Sequence, residues 1–342
     1  LFTASNLLTP YLLHRMIGSE EVYRATMSYL DWRVYGFFFS FIAVMFRAFY
    51  VSTTNTKILT ANSVVMVLTN VVLNYILIFG KFGFPALGIA GAAIASSISE
   101  AVSVMFFVIY TWKKVDYKKY GLFRFTRVDF RMLGQILSVS IWVMIQHGIA
   151  FGGWFIFFIA MEHLGERPLA ITNVVRSISS FLFMFVNAFA STNSSLVSNL
   201  IGAGESDRVL PLSRRMIGLC YAFVLPIGIL IAMFPSTVLR IYTDNPDLIA
   251  SSIPSLWVML SSYLFAVPGF IYFFSVSGTG NTRRALEIDM ASIFVYVLYI
   301  LYVAVWLRAD VAVCWTTEYV YNIMILSSFF YLWKGNWRNK KI

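Results

Sequence analysis

Nine predominantly apolar runs of 20 residues or more follow one another along this chain with only short loops between them, and that succession fixes the solvent the fold must face. They are Met27 to Phe46, Ile58 to Phe79, Ala86 to Trp112, Leu133 to Met161, Pro168 to Leu200, Leu210 to Phe234, Leu248 to Ser277, Ala285 to Leu307 and Val311 to Trp333. Crossing the hydrocarbon of a bilayer takes about 20 helical residues, because a helix closes its backbone hydrogen bonds within itself where no water can. A membrane β-barrel would show alternation in runs of about 10 residues. These runs are apolar on every face, and charged residues make up 12% of the 342, against roughly 25% in a soluble domain. The expectation is an all-α integral membrane protein of nine full helices and one partial helix, in which Leu1 to Met16 is the tail of a span already under way. Because the sequence opens on an apolar run without an initiator Met or a charged signal region, an N-terminal truncation is expected as well.

The longest interruption, Lys113 to Arg131, carries seven basic residues against Asp116 and Asp129. It divides the chain into residues 1–112, the remainder of an N-terminal lobe; 113–131, a basic linker; and 132–342, a C-terminal lobe with its tail. The net charge of +10 invites a nucleic-acid reading, which the placement of the charges opposes: they lie in short loops beside membrane spans. Lysine and arginine concentrate in cytoplasmic loops. With the linker inside, alternation puts 18 basic residues inside and 6 outside, leaving Arg33 and Arg176 within spans. The linker and C-terminus are therefore expected to be cytoplasmic.

A weak internal echo joins the two halves. Thr53-Thr54-Asn55-Thr56-Lys57 matches Thr279-Gly280-Asn281-Thr282-Arg283, each in the second inside loop of its half. Such self-similarity is how transporters built from repeats show themselves in sequence.

Several ordered segments carry a resemblance: Asn70 and Asn74 in TNVVLNYILIFG, the run Pro85 to Glu100, LIGAGESDRV from Leu200 to Val209, and SGTGNTR. Together they resemble the multidrug and toxic compound extrusion (MATE) family of the MOP flippase superfamily, over essentially the whole chain. That resemblance implies two pseudo-symmetric six-helix lobes, the first incomplete here, around a central cleft. It further implies export of amphipathic or cationic drug-like molecules by alternating access, in exchange for H+ or Na+ and without a cofactor. A monomer in a bacterial inner membrane is expected. Members of the family often carry a proline and then an acid early in the first helix of the second lobe. Here that stretch reads SVSIWVMIQHGIAFGG, with Trp142, Gln146 and His147 and no carboxylate.

An ionisable side chain at mid-bilayer costs about 2.5 to 3.5 kcal/mol on insertion scales, so those that remain mark cavities, pathways or pairs. Asp289 and Glu318 are the first candidates for ion coupling, the alternative for each being a bond to a loop arginine. Glu287 is expected to pair with Arg283 and Arg284 one turn away. Glu100 is the deepest acid of the first lobe, with Ser96, Ser97 and Ser99 as possible hydrogen-bond partners. Asp31 and Arg33 point to different faces of their helix, and Arg33 calls for an acid on a neighbouring one. Arg176 with Asn173 forms either a cleft-lining stripe or a lock between helices. His147, beside Gln146, suits a proton relay. Glu162, His163 and Glu166 form a cap at a helix end rather than a metal site. Cys220 and Cys314 lie inside spans and suggest no disulfide or metal framework.

The aromatic content of 18% suits cation-π contact with a cargo and equally suits a lipid-facing surface. Pro226, Pro254 and Pro268 fall inside spans as bending points. An intramembrane enzyme would need a motif such as HExxH or GxSxG, which the sequence lacks. A channel would be expected to show a filter or a charge ring. The closest rival is a lipid-linked oligosaccharide or polysaccharide flippase of the same superfamily, whose cavity would be lined with several cations.

Overall fold

The computed structural model describes residues 9–11, 20–116, 119–121, 129–335 and 337. Most of the expected partial span Leu1 to Met16, with Arg15, lies outside the described residues. So do Lys118, Arg124 and Arg127 of the linker and Arg338, Lys340 and Lys341 of the tail. The described residues are helical and contain no strand. Two compact units are present, Leu1–Arg127 and Val128–Ile342.

In the first unit, α1 (Glu20–Ser52) and α2 (Lys57–Phe79) both pack against α3 (Gly88–Lys114). The second unit begins with α4 (Phe130–Leu164) and α5 (Glu166–Gly202), followed by α6 (Val209–Met233) and the short α7 (Pro235–Leu239). It continues with α8 (Pro246–Gly278) and α9 (Thr282–Ile300), which a π-helical turn extends over Leu301–Trp306. Eight helices among the described residues are long and apolar enough to cross a membrane.

The ninth expected span, Val311 to Trp333, is instead three short helices: α10 (Val311–Cys314), α11 (Thr317–Ile325) and α12 (Ser328–Lys334). Hydroxyls explain the first joint. Thr316 Oγ1 donates to Val313 O at 2.5 Å and Thr317 Oγ1 to Cys314 O at 2.6 Å, drawing carbonyls away from the helical ladder. The backbone tightens there to three-residue steps, Glu318 N to Trp315 O and Tyr319 N to Thr316 O.

Helix ends follow from local chemistry. Asp129 caps α4 by accepting from Arg131 N and Met132 N, and Asn245 caps α8 by accepting from Asp247 N and Leu248 N. These side chains satisfy amide hydrogens that an isolated first turn leaves unpaired.

The echo between the halves has a structural counterpart in one local turn. Helix α1 ends at Ser52 and α8 at Gly278. Two residues beyond each end the chain turns through positive φ, 59° at Thr54 and 76° at Gly280. The next helix then starts at Lys57 or Thr282.

Packing in the second unit centres on α5 against α8. Asn193 of α5 donates to Ser275 Oγ at 2.7 Å and to Ile271 O at 3.3 Å, both on α8, and reaches Ser213 Oγ of α6 at 3.3 Å. Pro226, Pro254 and Pro268 lie inside helices as expected. Pro268 has no N–H to give the carbonyl of Leu264 one turn earlier. Tyr221 supplies the missing donor, its hydroxyl bonding Leu264 O at 2.5 Å. Re-satisfying such a carbonyl is what makes a mid-helix proline tolerable in lipid.

Small residues set the closest approach. A Cβ on Gly278 would stand 2.5 Å from the backbone oxygen of Ser194, whereas one on Gly218 of α6 would meet nothing within 4 Å. Gly278→Ala is accordingly expected to destabilise the second unit by about 1–3 kcal/mol through overpacking. Gly218→Ala should be neutral or stabilising by up to about 1 kcal/mol. Thermal unfolding of the purified protein in detergent compares the two.

Candidate functional site

Along α9, Leu286, Asp289, Ser292, Ile293, Tyr296 and Ile300 are buried, at the three- and four-residue intervals of one helix face. Asp289 therefore points inward with its apolar neighbours, and its residue is only 2% exposed. Helix α11 crosses this face, packing against both α9 and α8. From it Tyr321 donates its hydroxyl to Asp289 Oδ1 at 3.0 Å. Gln146 and His147, on α4, act on the same carboxyl, the amide as a hydrogen-bonding group and the imidazole electrostatically. Asp289, Gln146 and His147, which sequence analysis singled out separately, thus converge.

Glu318 lies three residues before Tyr321 on α11, hence on the same side of that helix. It is half-buried and has no hydrogen bond or ion pair among the described residues. Tyr263 of α8, Tyr296 of α9 and Tyr321 surround it electrostatically. Tyr263 is engaged elsewhere, donating to Ser179 O at 2.7 Å. The Tyr296 hydroxyl and the Trp315 indole N–H are buried without partners among the described residues. Neither acid is tied to an arginine among the described residues: Arg283 and Arg284 hold Glu287 at 3.6 and 2.6 Å, as expected. Arg283 also lies over the Trp142 ring at 5.7 Å.

In the first unit, the acid that Arg33 required is Glu100. The guanidinium of α1 grips both carboxylate oxygens of α3, at 2.6 and 2.8 Å. Gly36 makes room for the pair, since a Cβ there would overlap Arg33 Nη1 and stand 2.7 Å from Glu100 Oε2. The expected serine partners of Glu100 are committed elsewhere. Asn70 donates to Ser96 and Ser99 at 3.3 and 3.2 Å, and Ser97 donates to Trp32 O at 3.1 Å. A bidentate, charge-assisted grip outcompetes neutral hydroxyls for a carboxylate. Asp31 is exposed and outside this pair.

Arg176 does not make an ion pair among the described residues. Its guanidinium lies over the Phe158 ring of α4 at 4.6 Å, linking α5 to α4, while Asn173 shares its exposed face one turn earlier. Glu162, His163 and Glu166 are exposed at the α4–α5 junction, where Gly165 N bonds Glu162 O. No group of three metal-binding side chains occurs among the described residues.

The model of the family described as MatE matches residues 1–76 and 143–303, more than half of the sequence. The chain belongs to the MatE family. Two relatives of this MatE chain are probable multidrug resistance proteins NorM. That of Thermotoga maritima is 28% identical over 239 residues, covering 69% of this chain and 50% of its own length. That of Photorhabdus laumondii is 25% identical over 258 residues, covering 74% and 56%. The chain thus spans about half the length of the curated relatives it matches. Solved structures share the fold at lower identity. An outward-facing multidrug resistance MATE transporter of the MOP superfamily superposes with a TM-score of 0.85 at 17% identity, over 96% of this chain and 73% of that one. A MOP superfamily transporter from Pyrococcus furiosus gives 0.86 at 16%, over 98% and 74%.

Within this MatE chain the sequence missed Tyr321 and Tyr296. Both carried a signal: Tyr321 falls one turn after Glu318, and Tyr296 two turns after Asp289, each on the face of an acid already chosen.

The Arg33–Glu100 pair generates its own prediction. Arg33→Ala leaves a largely buried carboxylate unpaired and is expected to cost on the order of 3 kcal/mol. Adding Glu100→Gln should recover most of that loss in detergent thermal unfolding, because it removes the stranded charge.

Proposed function

We propose that this MatE chain is part of a secondary antiporter that exports amphipathic or cationic small molecules by alternating access, in exchange for H+ or Na+. The observation that carries this reading is the pair of acids within the second unit, the buried Asp289 and the half-buried Glu318, neither paired with an arginine or lysine among the described residues. A carboxylate compensated by arginine has no reason to bind and release a cation. One that is uncompensated has a standing tendency to take up a proton or a metal cation when its surroundings dry out. Gln146 and His147 stand where relatives often place an acid, so the coupling acid in this reading is carried by α9 and α11 instead of α4.

One charge moved through about 100 mV yields roughly 2.3 kcal/mol, enough for about a fiftyfold gradient of a neutral cargo. A single site therefore suffices. The flippase alternative calls for several unpaired cations, whereas Arg33 is spent on Glu100 and Arg176 lies on an aromatic ring. We place the protein in a bacterial inner membrane as a monomer, with the basic linker and C-terminus cytoplasmic and with no cofactor, nucleic acid or catalytic site involved.

The test is dye efflux from vesicles bearing the full-length protein, under imposed proton and sodium gradients separately. Asp289→Asn and Glu318→Gln are each expected to lower gradient-driven efflux at least tenfold. Gradient-responsive efflux at full rate in both variants would remove these acids from the mechanism.

A further inference from the structure

The antiport reading treats Asp289 and Glu318 as two candidates for one task, but the residue between them makes them a single device. We infer that Tyr321 is a positioning residue that couples the two carboxyls, so that the pair holds one proton and passes the negative charge from one member to the other. The inference rests on the antiport reading and narrows its ion to H+.

The argument is geometric. Tyr321 donates to Asp289 Oδ1 at 3.0 Å, and one turn back along α11 is Glu318, on the same helix face. A phenol has one hydrogen to give and an oxygen that accepts. While Asp289 is charged, it receives the Tyr321 hydrogen, and Glu318, lacking any donor, is the acid better suited to hold the proton. When a proton reaches Asp289, its new O–H donates to the Tyr321 oxygen. The phenol hydrogen, released from Asp289, is free to turn to Glu318, whose own proton leaves. One proton enters at Asp289 and one departs from Glu318; Tyr321 stays neutral throughout.

Tyr296 offers a second, independent observation. Its ring meets that of Tyr321 edge-on, 6.0 Å between centroids, and its hydroxyl is fully buried without a hydrogen-bond partner among the described residues. Buried hydroxyls seldom go unpaired. Glu318, in whose field this hydroxyl sits, is an acceptor of the kind it lacks once Glu318 carries charge. The other groups facing the pair do not supply a competing charge from arginine or lysine. Helix α4 presents Gln146 and His147 to Asp289, and α8 presents Tyr263 to Glu318, already bonded to Ser179. Tyr319 of α11 is turned aside, hydrogen-bonded to Ser261.

Infrared titration of the carboxyl groups in the purified full-length protein reads the coupling directly. Glu318→Gln should move the Asp289 midpoint by about one pH unit or more in the native background, and by less than a third of that shift alongside Tyr321→Phe. Tyr319→Phe, which removes a neighbouring phenol from another hydrogen bond, should leave the shift intact. An equal shift with and without the Tyr321 hydroxyl overturns the inference. So does no shift in the native background, or loss of coupling in both phenylalanine variants. Should Asp289→Asn and Glu318→Gln both retain gradient-driven efflux, the antiport reading fails whatever the titration gives. If efflux is lost in both while Tyr321→Phe leaves the coupling unchanged, only the inference fails.

Discussion

Everything about the second unit turns on the cost of leaving a polar group unpaired in a helix bundle whose surroundings are apolar. Most of its interior chemistry consists of ways to avoid that cost. Asn193 distributes its amide between α6 and α8, Tyr221 fills the carbonyl that Pro268 vacates, and Arg283 and Arg284 close on Glu287. Against this background of closed accounts, Asp289 and Glu318 are conspicuous because no arginine or lysine among the described residues pairs with them. In the antiport reading proposed above such a group is retained for the cation it exchanges, since an apolar side chain of the same volume would be the more stable choice.

The first unit shows the contrasting solution. Arg33 and Glu100 are the most buried ion pair among the described residues, joined through two hydrogen bonds and housed by the missing side chain of Gly36. Asn70 and Asn74 extend the polar seam along α2 toward the serines of α3. A closed pair of this kind fixes the register of α1 against α3. It does not present an open site for an ion. The two units repeat the same helix–turn–helix at Ser52 to Lys57 and Gly278 to Thr282. They have nevertheless given their buried acids opposite surroundings.

Much of the fold was legible in the sequence because the membrane imposes a long, one-dimensional signal: length and uniform apolarity identified the helices, and a five-residue echo located the repeat. The division of the last span into α10, α11 and α12 was not legible, since it depends on which carbonyls the hydroxyls of Thr316 and Thr317 capture. Pairings between helices were partly visible. The need of Arg33 for an acid and the local Glu287 cluster followed from charge and spacing. The commitment of Ser96, Ser97 and Ser99 to other partners required knowing that α2 and α1 approach α3 from two sides. Tyr321 escaped because a tyrosine among 19 in an aromatic-rich chain carries no label saying that its hydroxyl meets an acid on a helix some thirty residues away.

The central claim is that the cation exchanged for cargo resides on Asp289 and Glu318. The most direct test is to count protons released into weakly buffered solution when the purified full-length protein binds an exported dye. The account predicts measurable release from the native protein and its disappearance when Asp289→Asn and Glu318→Gln are combined, with the double variant still folded by thermal unfolding. Undiminished proton release from the double variant would contradict it.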